Sequence, residues 1–447
     1  MRGVANRDLT CHMAFSLGSA AVRVLGPTLV IGRDTRVSGS MLEAALVAGI
    51  TSRGGRALIA GVIPTPAVAL LTRELKADGG IVVSASHNPP EYNGIKFFDA
   101  GGYKLESDLE GQLEASLHEG NDTQSALQVD PAVTLPTGTA VGEAHFIDDA
   151  HERYICHAVR ILEKENISLE GLKVAVDCGN GAASITTPEA LRRLKAEVVV
   201  INDEGNGSVI NVKSGSTDLR QLSELIKESG ADVGIAHDGD ADRVIAMTAE
   251  GDEIDGDYIE AICALDRKDT YGVPKDTVVS TVMCNIGFAQ AMEEAGLHVI
   301  QTAVGDSNVL AAMRAGGFAI GGEQSGHMIF IEHNTTGDGL VTALMLLAAM
   351  QRSGKSLSTL AGDSMKKYPQ TLINVRGVDK NRLDGNQAIG AATAAAEEEL
   401  KSSGGGRVLI RASGTEPLVR VMVEAAGKDS ADRIAQDLAN VVERELT

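Results

Sequence analysis

The segment Val83 to Lys96 carries the side chains best suited to transferring a chemical group. It reads VSASHNPPEYNGIK, and an apolar run ends just before Ser86. A serine hydroxyl can accept or donate a transferred group when bases lie close to it, and His87 and Lys96 supply such bases. The segment therefore predicts a reactive serine, although a plain turn rich in Asn and Pro remains the alternative.

Three carboxylates alternate along the run DGDADR, which follows the apolar stretch ADVGIA. Asp238, Asp240 and Asp242 in one glycine-containing loop can converge on a hard cation, and the guanidinium of Arg243 can hold a phosphoryl group that the cation also contacts. The spacing is not that of an EF-hand, because Arg243 and Ala249 stand where glycine and glutamate belong. The loop predicts a metal site, with a solvated acidic turn as the alternative.

The run GGEQSGH at 321–327 offers groups that can recognise sugar hydroxyls. Its two glycines permit close backbone approach, and Glu323, Ser325 and His327 supply polar side chains. A polar turn without a ligand is the competing interpretation.

The run RASGTEP at 411–417, with Arg420 shortly after it, has the composition of an anion site. A guanidinium, two hydroxyls and backbone N–H groups around a glycine form the kind of nest that a phosphate monoester requires. A plain hairpin connection is the alternative, but such a connection does not need two arginines and two hydroxyls.

Nucleotide-binding motifs are weak in this sequence. The run SGKS at 353–356 ends like a P-loop, but Ala349 occupies the place of the first glycine. The run DCGNGAAS at 177–184 imitates a dinucleotide fingerprint, but Ser184 stands in place of the third glycine. A nucleotide-dependent enzyme is therefore a minor alternative.

The composition indicates a folded, acidic protein. The 447 residues include 40 Lys and Arg against 61 Asp and Glu, which gives a net formal charge of −21. Such a field repels phosphate backbones and anionic lipid headgroups, so we expect neither nucleic acid nor a membrane as a partner. Hydrophobic residues at 43% and charged residues at 23% exclude a wholly disordered chain.

The cysteines and the apolar stretches predict a reduced, cytoplasmic location. The 5 cysteines are scattered without a C-x-x-C pair, so we expect buried thiols and neither a disulfide framework nor a zinc site. The most apolar stretch, 340–350, is shorter than the ~20 residues that span a bilayer, and the first residues lack the pattern of a signal peptide. The oligomeric state is left open.

Short β-branched runs alternate with Ala- and Leu-rich segments and must position these motifs, which favours α/β layers with parallel or mixed sheets. The expected strands are 28–32, 57–63, 80–84, 173–177, 197–201, 232–236 and 278–282. The expected helices include 39–53, 216–229 and 287–295. After Pro369 a βαββα order, closed by a helix with Ile434, Leu438, Val441 and Leu446 on one stripe, predicts a separate small domain.

Taken in this order, ASHNP with NGIK, DGDADR, GGEQSGH and RASGTEP resemble the motifs of the α-D-phosphohexomutases. The resemblance runs from GRDTR at 32–36 to the last segment, and YPQ followed by LINVRG, with Gln324, resembles the branch that acts on glucosamine phosphate. It implies an α/β fold of three similar domains with mixed sheets and a small α+β C-terminal domain around a central active-site cleft. The expected ranges are 1–148 with the phosphoserine loop, 149–252 with the metal loop, 253–366 with the sugar-binding loop and 367–447 with the phosphate site.

The resemblance also implies an isomerase reaction. A phosphoserine gives its phosphoryl group to a sugar phosphate, the bisphosphorylated sugar turns over, and the enzyme takes the other phosphate back. In the glucosamine branch this interconverts glucosamine 6-phosphate and glucosamine 1-phosphate and would feed UDP-N-acetylglucosamine synthesis. Mannose or glucose phosphate is the alternative substrate, and a catalytically silent sugar-phosphate-binding protein is the alternative class.

The resemblance assigns roles to the residues of the four motifs. Ser86 would be the phosphoserine, and its phosphate would bind one Mg²⁺ together with Asp238, Asp240 and Asp242, with a sugar 1,6-bisphosphate as activator and intermediate. Lys96 would be the favoured proton shuttle. The other implied residues are His87, Arg243 and His327 for catalysis, Glu323 and Ser325 for the sugar, and Arg411, Ser413, Gly414, Thr415 and Arg420 for the phosphate.

Two positions depart from the family pattern. The family usually opens with a Phe-Gly-Thr-x-Gly-like strand ahead of an Arg-Gly pair, whereas this sequence starts at Met1-Arg2-Gly3. We therefore expect physiological residues upstream and a mobile or displaced Arg2 with reduced activity, because a residue near a free terminus frays. Ser307 and Asn308 stand where the glucosamine branch usually has Arg-Tyr, which bears on the substrate preference.

Overall fold

Four β-sheets organise the chain in a computed structural model, which describes residues 1–118, 135–413 and 417–447. The first of two units comprises Met1–Val282 and Ile300–Asp363, and the second comprises Met283–Val299 and Ser364–Thr447. Sheets of mixed direction occupy the first unit. The predicted α/β class is thus confirmed.

The first sheet holds the reactive-serine motif in the loop between two adjacent strands. Its order is β1-β5-β4-β2-β3-β6, with β2 parallel to β3 and β4, and β5 antiparallel to β1 and β4. The elements are β1 (Arg2–Val4), α1 (Cys11–Val24), β2 (Thr28–Arg33), α2 (Gly39–Ser52), β3 (Arg56–Val62), α3 (Thr65–Glu74), β4 (Gly79–Val83), β5 (Tyr92–Asp99), α4 (Ser107–His118) and β6 (Ala144–Phe146).

The second sheet, of order β11-β10-β9-β7-β8, carries the aspartate loop as the turn of a β9–β10 hairpin. Strand β7 runs parallel to β8 and β9, whereas β10 is antiparallel to β9. The elements are α5 (Ala150–Glu163), β7 (Lys173–Asp177), α6 (Ala183–Arg193), β8 (Glu197–Ile201), α7 (Arg220–Ser229), β9 (Val233–His237), β10 (Val244–Thr248) and β11 (Glu253–Ile254).

The third sheet has the order β13-β12-β14-β15 and holds the GGEQSGH run in the β14–β15 connection. Strand β12 is parallel to β14 and β15 is antiparallel to it. The elements are α8 (Gly256–Thr270), β12 (Thr277–Thr281), α9 (Ile286–Glu294), β13 (His298–Thr302), α10 (Asp306–Gly316), β14 (Ile320–Gly322), β15 (Met328–Phe330), α11 (Gly339–Ser353) and α12 (Leu357–Ser364).

The predicted βαββα segment forms an antiparallel sheet of order β16-β18-β17 with two long helices. Its elements are β16 (Gln370–Arg376), α13 (Gln387–Ser402), β17 (Gly406–Ala412), β18 (Leu418–Ala425) and α14 (Lys428–Leu446). A single apolar cluster built entirely from residues between Val375 and Leu446 fills it. On α14 the predicted stripe is buried at Ile434, Leu438 and Leu446, whereas Val442 replaces Val441 as the fully buried residue.

Other sequence predictions need small corrections. Helix α7 begins at Arg220 rather than 216, because a short 3₁₀ turn at Gly215–Thr217 precedes it. The five cysteines are free, but Cys11 and Cys156 are only partly buried. The apolar stretch near 340–350 belongs to α11, which is packed inside the protein. Among the described residues no helix is both long and apolar enough to cross a membrane.

Candidate active site

Ser86 lies in the connection that leaves β4 and returns along β5. Its φ of 52° places it in the left-handed region, and it is 2% exposed. A non-glycine residue pays a steric penalty for this conformation, so the surroundings must hold it there. The Ser86 amide donates to the hydroxyl of Ser84 at 2.9 Å, which fixes the start of the turn.

The aspartate loop approaches Ser86 from the second sheet. Ser86 Oγ donates to Asp238 Oδ2 at 2.6 Å. Asp238, Asp240 and Asp242 are buried, and one oxygen from each lies within 4.8 Å of the others. Pairing of His237 with Val244 brings both ends of the loop together, which forces the three alternating side chains into one small volume. The sequence prediction that these three carboxylates converge is confirmed.

The donor set fits a hard divalent cation. Asp240 Oδ1 and Asp242 Oδ1 are buried and have no hydrogen-bond partner among the described residues. Buried carboxylate oxygens are costly unless a donor or a cation satisfies them, and oxygen ligands from carboxylates are those that Mg²⁺ prefers. The residues present therefore suit a metal ion that contacts Asp238, Asp240 and Asp242.

Lys96 already supplies one positive charge to this cluster. Its Nζ lies 2.6 Å from Asp240 Oδ2 and 3.1 Å from Asp242 Oδ2. Burial opposes the charge on Lys96, but the two carboxylates outweigh it and raise the pKa of Lys96 above its usual value. Burial, together with the neighbouring aspartates, raises the pKa of Asp238. Burial also opposes the charge on Asp242, yet Lys96 outweighs it and the pKa of Asp242 falls.

His87 contacts the reactive serine, and Arg243 lines the same cavity as the serine. His87 Nδ1 is 3.4 Å from Ser86 Oγ, and burial, with Arg243 and Arg2 nearby, lowers the pKa of His87 to about 4. The imidazole is therefore neutral at pH 7. Arg243 Nε lies 3.9 Å from Asp242 Oδ1 and is buried without a hydrogen-bond partner among the described residues. An unsatisfied guanidinium N–H beside the serine is suited to an incoming phosphoryl oxygen.

A cavity of 1060 Å³ opens beside these groups in the first unit. Six of the predicted residues line it: Arg2, Ser86, Lys96, Asp242, Arg243 and Glu323. Its volume slightly exceeds the upper end of the roughly 300–1,000 Å³ typical of small-molecule sites. The serine, the metal loop and one residue of the GGEQSGH run thus face a common space.

The GGEQSGH run divides between exposed and buried positions. Glu323 Oε1 accepts the Gly305 amide at 3.0 Å, which ties the run to the start of α10. Ser325 is exposed and His327 is 2% exposed. His327 Nε2 lies 3.5 Å from Asp306 Oδ2, and burial lowers the pKa of the His327 imidazole.

Sequence reasoning missed two groups on the cavity wall. Lys104 forms a close ion pair with Asp306, and both residues line the cavity. Lys104 follows β5, whereas Asp306 is the first residue of α10, so neither belongs to a motif that the sequence made prominent. One signal was available, because Ser307 and Asn308, next to Asp306, differ from the family pattern. It indicated that this loop is important but not that Lys104 pairs with it.

The prediction that Arg2 is displaced is wrong. Arg2 pairs with Gly94 in the β1–β5 ladder, and the Met1 ammonium donates to the Ile95 carbonyl at 3.1 Å. The Arg2 guanidinium donates to Asn88 Oδ1 at 3.1 Å, within the loop that carries Ser86. Strand pairing holds the backbone that end fraying would otherwise release.

The predicted phosphate site lies in the second unit. Arg411 on β17 and Arg420 on β18 stand directly opposite each other, and Ser413 donates its amide to Leu418 at the end of the ladder. Burial and the Arg420 charge lower the pKa of Arg411. Like charges opposite each other destabilise a sheet, and a bound anion would offset this. The predicted residues Gly414 and Thr415 lie outside the described residues.

Models of the phosphoglucomutase/phosphomannomutase domains match this chain in four consecutive segments. The α/β/α domains I, II and III match residues 1–124, 152–251 and 255–368, and the C-terminal domain matches residues 372–441. The chain belongs to the phosphoglucomutase/phosphomannomutase family. The resemblance of the motifs to phosphohexomutases is thereby confirmed, as is the plan of three similar α/β domains followed by a C-terminal domain.

Individual members of the phosphohexomutase family cover nearly the same length. Phosphoglucosamine mutase of Thermobifida fusca is 50% identical over 455 aligned positions, which cover 100% of this chain and 97% of the relative. A family member from Burkholderia thailandensis has a TM-score of 0.80 at 25% identity and covers 99% and 96% of the two chains. Aspergillus fumigatus N-acetylphosphoglucosamine mutase, solved with GlcNAc-6P and magnesium, has the same fold at 18% identity, with a TM-score of 0.73 and coverage of 100% and 95%.

Proposed function

We propose that this phosphohexomutase is an isomerase that interconverts glucosamine 6-phosphate and glucosamine 1-phosphate through a bisphosphorylated sugar. The observation that carries the proposal is the position of Ser86. Its Oγ lies 2.6 Å from the first of three convergent aspartates and faces the 1060 Å³ cavity. The chain is also 50% identical over its length to a phosphoglucosamine mutase, which favours the amino sugar over other hexoses.

In this proposal Ser86 is the acceptor and donor of the phosphoryl group. Asp238, Asp240 and Asp242 would hold Mg²⁺, which when bound neutralises charge on the phosphoryl oxygens. Arg243 donates to those same oxygens from the cavity wall. Because the transfer develops charge in a site sheltered from water, fixed donors of this kind contribute strongly to the rate.

The protonation states of Lys96 and His87 decide which of the two can transfer a proton. Lys96 is protonated among the carboxylates and is set to donate a proton to the oxygen that leaves, then to recover it in the reverse half of the cycle. His87 is neutral, so it adds no like charge beside Lys96 and Arg243 and offers hydrogen bonds only. His327, whose Nε2 lies 3.5 Å from Asp306 Oδ2, is a second proton-transfer candidate.

The remaining predicted residues select and orient the sugar. Glu323 and Ser325 would bind hydroxyl groups, and the carboxylate of Glu323 also suits an ammonium group at C2. Arg411, Ser413, Gly414, Thr415 and Arg420 would grip the phosphate that is not reacting. We propose domain boundaries at 148/149, 252/253 and 366/367, a sugar 1,6-bisphosphate as activator and a cytoplasmic location.

Incubation of the purified protein with Mg²⁺, a trace of sugar bisphosphate and each hexose phosphate in turn tests the proposal. We expect kcat/KM to be highest with glucosamine 6-phosphate and Ser86→Ala to remain folded with less than about a tenth of the turnover. Active protein should carry an additional ~80 Da on Ser86, the mass of the phosphoryl group that makes this side chain an anion. A Ser86→Ala enzyme with ordinary turnover would contradict the phosphoserine route.

Mannose 6-phosphate or glucose 6-phosphate is the second candidate substrate, because Ser307 and Asn308 depart from the glucosamine branch. Both residues line the cavity next to Glu323, where the glucosamine branch usually carries Arg-Tyr. A higher kcat/KM for either sugar would assign the enzyme to that branch while leaving the reaction type unchanged. Binding of sugar phosphates with no turnover at all would instead indicate a silent binding protein.

A further inference from the structure

Arg36 contacts the Ser86 loop with a fully enclosed guanidinium and is not among the residues that line the cavity. It belongs to the connection after β2, and its side chain has 0% exposure. A charged group so deeply buried is costly unless each of its donors is satisfied. The contacts of Arg36 therefore indicate what it is held there to do.

Every N–H of the Arg36 guanidinium has an acceptor. Nε donates to Asp34 Oδ2 at 2.9 Å. One terminal nitrogen donates to the Ser86 carbonyl at 2.9 Å and the Asn88 carbonyl at 2.7 Å. The other donates to the Tyr92 carbonyl at 3.0 Å and closely contacts the Pro89 carbonyl. Four carbonyl oxygens of the loop thus gather around one cation.

The partners of Arg36 also hold the backbone of the reactive serine. Asp34 accepts the Ser84 hydroxyl at 2.6 Å, and Ser84 accepts the Ser86 amide at 2.9 Å. Asn211, which lies between β8 and α7, donates to the Ser86 carbonyl at 2.8 Å. Both backbone groups of Ser86 are consequently held while its φ is 52°.

We propose that Arg36 is a positioning residue for phosphoryl transfer: it draws the carbonyl oxygens of the Ser86 loop to itself, so that the strained serine presents Oγ to the metal loop. This inference rests on the proposed function of Ser86. Among the described residues, the Arg36 side chain donates only to Asp34 and to backbone carbonyls, and it does not line the cavity. Its loss should therefore lower kcat and leave KM nearly unchanged.

Lysine is the informative replacement because it keeps the charge and loses the geometry. A guanidinium has five N–H donors in one plane, whereas an ammonium has three. Arg36→Lys must therefore lose at least two of the five hydrogen bonds that the guanidinium makes. A shift of about 1 Å in a reacting group costs roughly 10²-fold in rate, so we expect a kcat loss of that order.

The test compares Arg36→Lys with Arg352→Lys, well below the melting temperature of each variant. Arg352 serves as the control because it is a largely buried arginine whose guanidinium pairs with Asp266 and Glu165, away from the Ser86 loop. We measure kcat and KM for glucosamine 6-phosphate and amide hydrogen exchange of the peptide spanning 84–92. Arg36→Lys should lose kcat and exchange faster in that peptide only, while Arg352→Lys should do neither.

Asn211→Ala provides a second route to the same loop if Arg36→Lys folds poorly. It removes one donor to the Ser86 carbonyl and should produce a smaller change of the same kind. Unchanged kcat and exchange in both folded variants would overturn the inference. If the unmodified enzyme has no mutase activity, the proposed function fails, and the exchange result alone then decides whether Arg36 holds the loop.

Discussion

At the scale of single residues, Asp240 contacts both helix α3 and Lys96 and also belongs to the proposed metal site. Its Oδ2 accepts from Thr65 Oγ1 at 2.6 Å and from Lys96 Nζ at 2.6 Å, while its Oδ1 lacks a hydrogen-bond partner among the described residues. Thr65 is the first residue of α3, and its amide also donates to the Asp240 carbonyl. Two donors thus orient the carboxylate through Oδ2, and Oδ1 is the oxygen suited to a cation.

Asp240→Asn removes a ligand charge and should weaken Mg²⁺ binding. Even changes to groups next to a metal ligand commonly cost 10–100-fold, so for a ligand itself we expect a loss of at least about 10²-fold in Mg²⁺ affinity and in kcat with little change in KM. Calorimetric titration with Mg²⁺ and steady-state kinetics measure these effects. Asp203→Asn, at an exposed position, is the control. Full turnover in excess EDTA would contradict the metal assignment.

His237 is the buried residue immediately before the aspartate loop. Its Nδ1 contacts the Arg243 carbonyl at 3.0 Å, and its Nε2 contacts Thr187 Oγ1 at 3.0 Å. Because a carbonyl only accepts, the proton must lie on Nδ1 and Thr187 must donate to Nε2. Burial lowers the pKa of His237 to about 4.

The lowered pKa of His237 predicts a loss of stability in acid. Between pH 6.5 and 4 the unfolded histidine binds a proton that the folded one excludes, so this stability is complete above pH 6.5 and lost as the pH falls toward 4. The maximum is on the order of 3 kcal/mol. His237→Gln offers an amide donor and acceptor but does not titrate, so it should flatten the dependence in urea unfolding at pH 5 and 7. An identical slope for His237→Gln and the exposed control His12→Gln would refute it.

At the scale of elements, the segment after β5 packs against α10 along the cavity wall. Lys104 pairs with Asp306, Arg314 pairs with Glu106 at 3.2 Å, and the Arg314 guanidinium lies 4.3 Å from the Tyr103 ring centroid. The Lys104 contact holds the first turn of α10 and the Arg314 contacts hold its last turn. The Gly305 amide, just before the helix, donates to Glu323 Oε1. This wall of the cavity is therefore held together by charged side chains from the segment after β5 and from α10.

Lys104→Met should loosen that wall and raise KM. It leaves Asp306 without its charged partner, and a hydrogen bond to a charged group contributes roughly 1.5–3 kcal/mol to stability, so we expect KM to rise by up to about 10- to 10²-fold. Steady-state kinetics with glucosamine 6-phosphate measure the effect. Lys355→Met, which breaks an exposed pair with Asp363, serves as the control. Equal KM values in the two variants would show that Lys104 does not shape the site.

At the scale of the whole molecule, the C-terminal residues possess a core of their own. The cluster around β16, β17, β18, α13 and α14 is closed by residues from Val375 to Leu446. Outside that cluster, Glu424 is fully buried, pairs with Arg407 and accepts the Ile286 amide at 3.2 Å. The second unit therefore combines an independent core with a polar attachment to Met283–Val299.

A fragment of residues 367–447 should fold cooperatively, because its apolar core is complete without the rest of the chain. Thermal unfolding followed by circular dichroism measures this, and the spectrum should show both helix and strand. We expect the melting temperature to fall below that of the full chain, since Glu424 loses its backbone donor. A fragment without a cooperative transition would show that the attachment is required.

The sequence by itself determined the order of elements and the chemistry of the motifs, because both depend on local information. Strands predicted from β-branched runs lie within one or two residues of β2, β4, β7, β8 and β9, and the reactive serine and the aspartates were evident from residue type and spacing. Side-chain periodicity and short-range spacing are properties of neighbouring residues, so they survive folding unchanged.

Only the tertiary structure decided which groups meet. Ser86 and Asp238 are separated by 152 positions, and their contact depends on how two sheets pack. Lys104 and Asp306 likewise come from distant segments, the connection after β5 and the first turn of α10, so neither has a sequence signal that identifies the other. Arg36 was hidden for a further reason: its partners are backbone carbonyls, which every residue carries, so residue identity cannot reveal them until the loop is folded around the guanidinium.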